Sequence, residues 1–203
     1  MKSALIGRLF GFVSFASADS WLSPTPKTYA STSGIFRLTI FPKPIAIALR
    51  EDEGEVFAPS QRATLGQLQV EATLEKLAGD HYESVWRKPL VNFQAPVSAL
   101  VSDLDGSFVT FDEWGTVGTS ENVIVVYNAG GEMVKRFTLF DFARKEELAI
   151  MPRTSSSHWW AGIHELVPRE NVVRVQIVTS GNEQKGFTYR TIRIRLADGA
   201  ILD

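Results

Sequence analysis

ALVSDLDGSFVTFDEWGTVGTSENVIVVYNAGGEMVKRFTL, running from Ala99 to Leu139, is the stretch whose reading decides the fold. It opens on the end of a short apolar run, Val97 to Val101. Asp103-Leu104-Asp105-Gly106 follows, and Asp-Gly is a strong turn signal, because glycine reaches positive φ without a Cβ clash and aspartate bonds its own backbone. Phe108-Val109-Thr110-Phe111 then reads as the returning strand. Residues Glu113 to Glu121 carry Gly115, Gly118, Thr116, Thr119 and Ser120, a loop composition. Val123 to Tyr127 is an unbroken apolar, β-branched run, the pattern of a strand covered on both faces. After the Asn128-Ala129-Gly130-Gly131 turn, Met133, Lys135, Phe137 and Leu139 alternate with Val134, Arg136 and Thr138. The whole predicts an antiparallel meander of three or four strands with short connections.

The same plan extends outward. Phe36, Leu38 and Ile40 alternate with Arg37 and Thr39, and Ile45, Ile47 and Leu49 predict a further short strand. Between them and the next strand lies the polar insertion Arg50 to Arg62. Leu65 to Leu74 gives the cleanest alternation, and Tyr82 to Trp86 pairs back after Ala78-Gly79-Asp80. Beyond the central stretch, Phe140 to Ala149 is the one helical candidate, with Asp141 at its start and Arg144, Lys145, Glu146 and Glu147 as a solvated face. Val173, Val175 and Ile177 then alternate with Arg174 and Gln176, and Ile192, Ile194 and Leu196 with Arg193 and Arg195.

Three segments therefore share one outline of strand, connection, strand, tight turn and closing apolar stretch: Gly34 to Leu90, Ser107 to Leu139 and Asn171 to Leu202. Ser102-Asp103-Leu104-Asp105-Gly106-Ser107-Phe108-Val109 resembles the S-x-D-G-x-x-[VI] turn of YVTN and WD-like β-propeller blades. The whole chain is similar to small exported bacterial proteins of unassigned function. No second clear copy of that turn follows at the usual blade spacing of about 40 to 45 residues, and the chain is short for a full ring. The expected class is all-β, with antiparallel meanders forming a partial propeller or a β-sandwich and one short helix.

Composition sets the outer bounds. The chain has 203 residues, 44% hydrophobic and 22% charged, ordinary values for one folded domain. A formal charge of -2 argues against nucleic acid as a partner. Cysteine is absent, which removes disulfides, thiolate metal sites and cysteine nucleophiles. No apolar run is long enough to predict a membrane span. At the N-terminus, Lys2 and Arg8, the apolar Leu9 to Phe15 and the small-residue site Ala16-Ser17-Ala18 read as a signal peptide over residues 1–18. That places residues 19–203 in the periplasm or outside the cell as a single β-rich domain.

The most concentrated group of candidate site residues is His158-Trp159-Trp160 with His164 and Glu165. Imidazoles and a carboxylate could ligate zinc, but the H-E-x-x-H spacing is missing, so no metal or other cofactor is expected. Paired tryptophans could stack on sugar rings or a partner's apolar surface, or could simply be core. Asp112, Glu113 and Trp114 open the longest central loop. Neighbouring strand residues point to opposite faces, so the two carboxylates make a poor acid–base pair and read as a solvated loop edge. Asp103 and Asp105 lack the rest of a calcium loop and read as a hairpin turn. Arg174, Arg193 and Arg195 could stripe one face of a sheet, where charge also discourages edge-to-edge association. No nucleophile elbow or phosphate loop is present.

These observations converge on a non-enzymatic binding or interaction module with a protein or glycan partner. Trp159, Trp160, His158 and His164 lead the expected ligand contacts, followed by Trp114 and Asp112, and the two loops would form one aromatic-lined site if they met. The competing expectations are a secreted hydrolase using His164, Glu165, Asp112 or Glu113, and a structural subunit of a cell-envelope assembly.

Overall fold

The computed structural model describes residues 22–43, 69–182, 184 and 186–202. The signal-peptide reading, the strand expected at Ile45 to Leu49, the insertion after it and the first residues of the Leu65 to Leu74 run lie outside the described residues.

The described chain folds into three antiparallel four-stranded meanders in sequence order. The first sheet holds β1 (Lys27–Ala30), β2 (Phe36–Phe41), β3 (Glu71–Ala78) and β4 (His81–Pro89). The second holds β5 (Pro96–Val101), β6 (Phe108–Glu113), β7 (Ile124–Tyr127) and β8 (Met133–Phe137). The third holds β9 (Ala161–Val167), β10 (Val172–Asn182), β11 (Gly186–Arg195) and β12 (Ile201–Leu202). The all-β class is thus what the structure shows, with one short α-helix among the described residues, and the quoted stretch is the middle sheet less the beginning of β5. The residues before Ser33 also supply a strand, β1, whose Thr28 and Tyr29 pair with Thr39 and Leu38.

The middle sheet is covered on both faces, which explains its apolar runs. Val109, Phe111, Ile124 and Val126 join one core with Val173, Val175, Ile177 and Ile194 of the third sheet. Phe108, Val125 and Tyr127 join the other core with Leu38, Ile40, Ala72 and Leu74 of the first. Each of the larger side chains among them contributes about 1.5–3 kcal/mol by leaving water. The two outer faces of the stack are polar and carry ion pairs, Arg37–Glu75 and Arg87–Glu71 on one side and Arg174–Glu165 and Arg193–Glu170 on the other. Arg195 pairs with Asp198. The arginines of the expected cationic stripe are therefore each matched by a carboxylate.

Turns lock neighbouring sheets together. Asp103 accepts hydrogen bonds from the Ser33 backbone N–H at 2.9 Å and its hydroxyl at 2.5 Å, tying the second sheet to the first. Asp105 receives the Ser107 N–H at 2.9 Å and the Asn171 side-chain amide at 3.4 Å, reaching towards the third. The Asp103–Asp105 pair is thus a hairpin turn and a clamp between sheets. The β7–β8 turn lays Gly131 on the Trp86 ring of β4, and the β11–β12 turn lays Gly199 on Lys135 of β8. A Cβ at Gly199 would collide with Lys135 and one at Gly131 would press tightly on the Trp86 ring, so the second and third meanders dock on their predecessors through equivalent turns.

The helix differs from expectation. Asp141 does not open it; its carboxylate accepts the Thr138 N–H and hydroxyl, both at 2.7 Å, and closes a 3-10 turn at Leu139–Asp141. The helix α1 is Lys145–Ile150. Glu147, expected on its solvated face, is 4% exposed and accepts Arg190 Nε at 2.6 Å. A carboxylate so placed is retained because a guanidinium and the Arg144 N–H bond it.

Candidate binding cleft

The site is built at the end of β6, where strand alternation breaks. Asp112 has φ +56°, a left-handed conformation that costs a non-glycine residue about 1–2 kcal/mol. Phe111 already faces the third sheet, and this twist sends the next side chain, Asp112, the same way. Asp112 Oδ1 accepts the Trp160 indole N–H at 2.9 Å and the Gly118 N–H at 2.7 Å. Glu113 turns away from the third sheet. Its carboxylate accepts Asn92 Nδ2 at 3.0 Å, the Phe93 N–H at 2.7 Å, the Gln94 N–H at 3.2 Å and Asn122 Nδ2 at 2.9 Å. Neither carboxylate is a solvated loop edge: Asp112 is 6% exposed and Glu113 2%.

The two loops of interest do meet. The His158 N–H donates to Val117 O at 2.8 Å, and the Thr119 hydroxyl donates to Ser156 O at 3.2 Å. Gly118 permits the approach: it has φ +67°, and a Cβ there would lie 2.7 Å from His158 O and 2.8 Å from Trp160 Cδ1. The contact zone is closed, however. Trp160, expected at a ligand surface, is fully buried as an anchor between the second and third sheets. His164, on β9, stacks on Phe111 with ring centroids 4.0 Å apart and on Trp160 at 5.7 Å. The adjacent Trp159 is 56% exposed, so neighbouring tryptophans have opposite fates. His158 is half-buried beside them, its pKa lowered by burial and by the Arg153 charge.

The electrostatics follow from burial. Removal from water pushes the Asp112 carboxyl up to about 6, against the Trp160 and Gly118 hydrogen bonds and with help from the Glu113 charge. Burial pushes the His164 imidazole down to about 4, and its Nδ1 has no hydrogen-bond partner. Among the described residues, no group of three or more His, Asp or Glu side chains comes together as a metal would require. No described helix is long and apolar enough to cross a membrane.

The open space lies on the other side of the loop, beside Trp114. A cleft of about 600 Å³ is lined by Phe93, Gln94, Trp114, Thr116, Ser120 and Asn122, among others, with Arg136 and Glu121 paired at 3.1 Å on its wall. Phe93 is 74% exposed, and Trp114 is half-buried with its indole N–H on Leu22 O at 2.8 Å. Trp114 also borders a second, more apolar cavity of about 560 Å³ with Leu22, Tyr29, Ile40 and Pro96. Of the six expected contacts, Trp114 alone lines the larger cleft. Phe93, Asn122 and Arg136 were not anticipated, because they belong to no motif and come from different connections and strands. The usable signal was an aromatic residue inside the short polar connection Val91-Asn92-Phe93-Gln94, before β5.

No family model matches this chain, and comparison with curated proteins and with solved structures gave no match either.

Proposed function

We propose that the chain is an exported, non-catalytic binding module whose ligand site is the cleft beside Trp114. The observation that carries this reading is the preorganised floor of the cleft. Glu113 draws Asn92, Phe93, Gln94 and Asn122 together through four hydrogen bonds. Asp112 meanwhile pins the rim loop at Gly118. A concave site held by buried polar contacts and lined by aromatic and polar side chains is what a small-ligand site requires. The same bonds commit both carboxylates to structure, which favours binding over acid–base chemistry. The signal-peptide pattern at residues 1–18 supports export. The three-sheet order, with equivalent docking turns, supports a blade-like arrangement of the sheets.

Fluorescence titration of the full chain tests the site. A ligand seated in the cleft perturbs Trp114 emission, and the response is lost in Trp114→Phe and kept in Trp159→Phe. The converse pattern would move the site to the β9 side and overturn the proposal.

A further inference from the structure

We infer that the cleft beside Trp114 takes a neutral pyranose ring of a glycan, an inference that rests on the binding reading above. Phe93 and Trp114 supply ring surface, and Phe93 is 74% exposed, so its ring is open to a ligand. Lys43 Nζ lies 5.3 Å from the centre of the Phe93 ring and occupies only one face of it. The remaining lining is hydroxyl and amide. Ser120 Oγ accepts the Asn122 N–H at 3.0 Å, leaving its own O–H to donate. The single Thr119 hydroxyl hydrogen is shared between Thr116 O at 3.1 Å and Ser156 O at 3.2 Å, leaving the oxygen's lone pairs to accept. Asn122 is 6% exposed, and its Nδ2 donates to Val91 O and Glu113, which fixes the floor under these groups.

Other ligand chemistries fit less well. The carboxylates Glu113 and Glu121 are balanced by Arg136 on the wall and Lys43 over Phe93, so a phosphate or carboxylate would meet no excess of positive charge. A wholly apolar ligand would strip water from the hydroxyls and amides without replacing their bonds. A pyranose has an apolar C–H face for the rings and equatorial hydroxyls that both donate and accept. Its neutrality leaves the Arg136–Glu121 pair intact.

Saturation-transfer NMR on the full chain tests this with two probe sets. One contains maltose, cellobiose and N,N′-diacetylchitobiose; the other contains aromatic acids and uncharged aromatic fragments without hydroxyls. The expected result is saturation of at least one disaccharide, strongest on ring C–H protons, with affinity falling about tenfold in Phe93→Ser and unchanged in Trp159→Ala. Phe93 is exposed, so the variant keeps its fold, which circular dichroism verifies. If only the second set binds, and Phe93→Ser weakens it, the glycan inference is overturned and the cleft stands. If neither set binds, or Phe93→Ser changes nothing, the cleft reading itself is overturned.

Discussion

Asp112 and His164 both touch Trp160, and burial moves their proton affinities in opposite directions. The Asp112 carboxyl lies near 6 in the fold against 3.8 unfolded, so the native state holds its proton more tightly. Its contribution to stability is fully present below pH 3.8 and is lost as pH rises through 6. The His164 imidazole lies near 4 in the fold against 6.5 unfolded, so the native state favours the neutral ring. Its contribution is fully present above pH 6.5 and is lost as pH falls through 4. Each shift of somewhat over two units corresponds to about 3 kcal/mol. Between pH 4 and 6 the two slopes oppose, each approaching 1.4 kcal/mol per pH unit, and nearly cancel. Asp112→Asn keeps an acceptor for Trp160 and Gly118 and removes one side of the balance. Urea unfolding followed by tryptophan fluorescence at pH 4, 5, 6 and 7 then shows a variant that loses stability on acidification more steeply than wild type. His164→Phe, which preserves the ring stack, shows the opposite change in slope. Background carboxylates act equally in all chains, so the differences isolate the pair. Identical pH slopes in wild type and both variants would refute the reasoning.

Glu113→Ala leaves four donors, two of them in buried bonds, without this acceptor, and urea unfolding should show a loss of about 3–5 kcal/mol, with Glu113→Gln losing less. Gly118→Ala meets a backbone oxygen at 2.7 Å in a left-handed conformation, so it should cost about 1–3 kcal/mol by the same measurement and lower the affinity of any cleft ligand. Arg190→Met strands the buried Glu147 carboxylate, so thermal unfolding at pH 7 should fall by several degrees and recover in the Arg190→Met, Glu147→Leu double variant.

Strands β2 to β8, β10 and β11 were legible because strand periodicity and glycine turns carry local information that the tertiary fold did not override, whereas β1 and β9 lack a clear alternation and were not legible as strands. Val123 to Tyr127 reads as a doubly covered strand and is one, since both neighbouring sheets bury it. The helix was legible in kind and not in extent, because Asp141 can cap either an α-helix or the 3-10 turn that forms, and only the docking of Leu139 in the core chooses between them. The fate of Trp159 and Trp160 was not legible at all. They precede β9, where no established period assigns a face, and it is the indole bond to Asp112 that draws Trp160 inward.

The end of β6 joins these observations. Alternation predicts that Asp112 and Glu113 point apart, and they do, but a left-handed residue decides which way each goes. With ordinary strand φ, Asp112 would face the first sheet, away from Trp160, and Glu113 would not reach Asn92 and Asn122. The strain of about 1–2 kcal/mol at Asp112 is offset by the hydrogen bonds it makes possible on both sides of the strand. One bond set seals the second sheet to the third, and the other shapes the floor of the cleft. A substitution that relaxes this residue therefore acts on sheet packing and on the cleft together, whereas Phe93 and Arg136 on the cleft wall change ligand affinity with the packing left in place. That separation distinguishes a binding site grafted on a sheet stack from one that is merely a gap left by it.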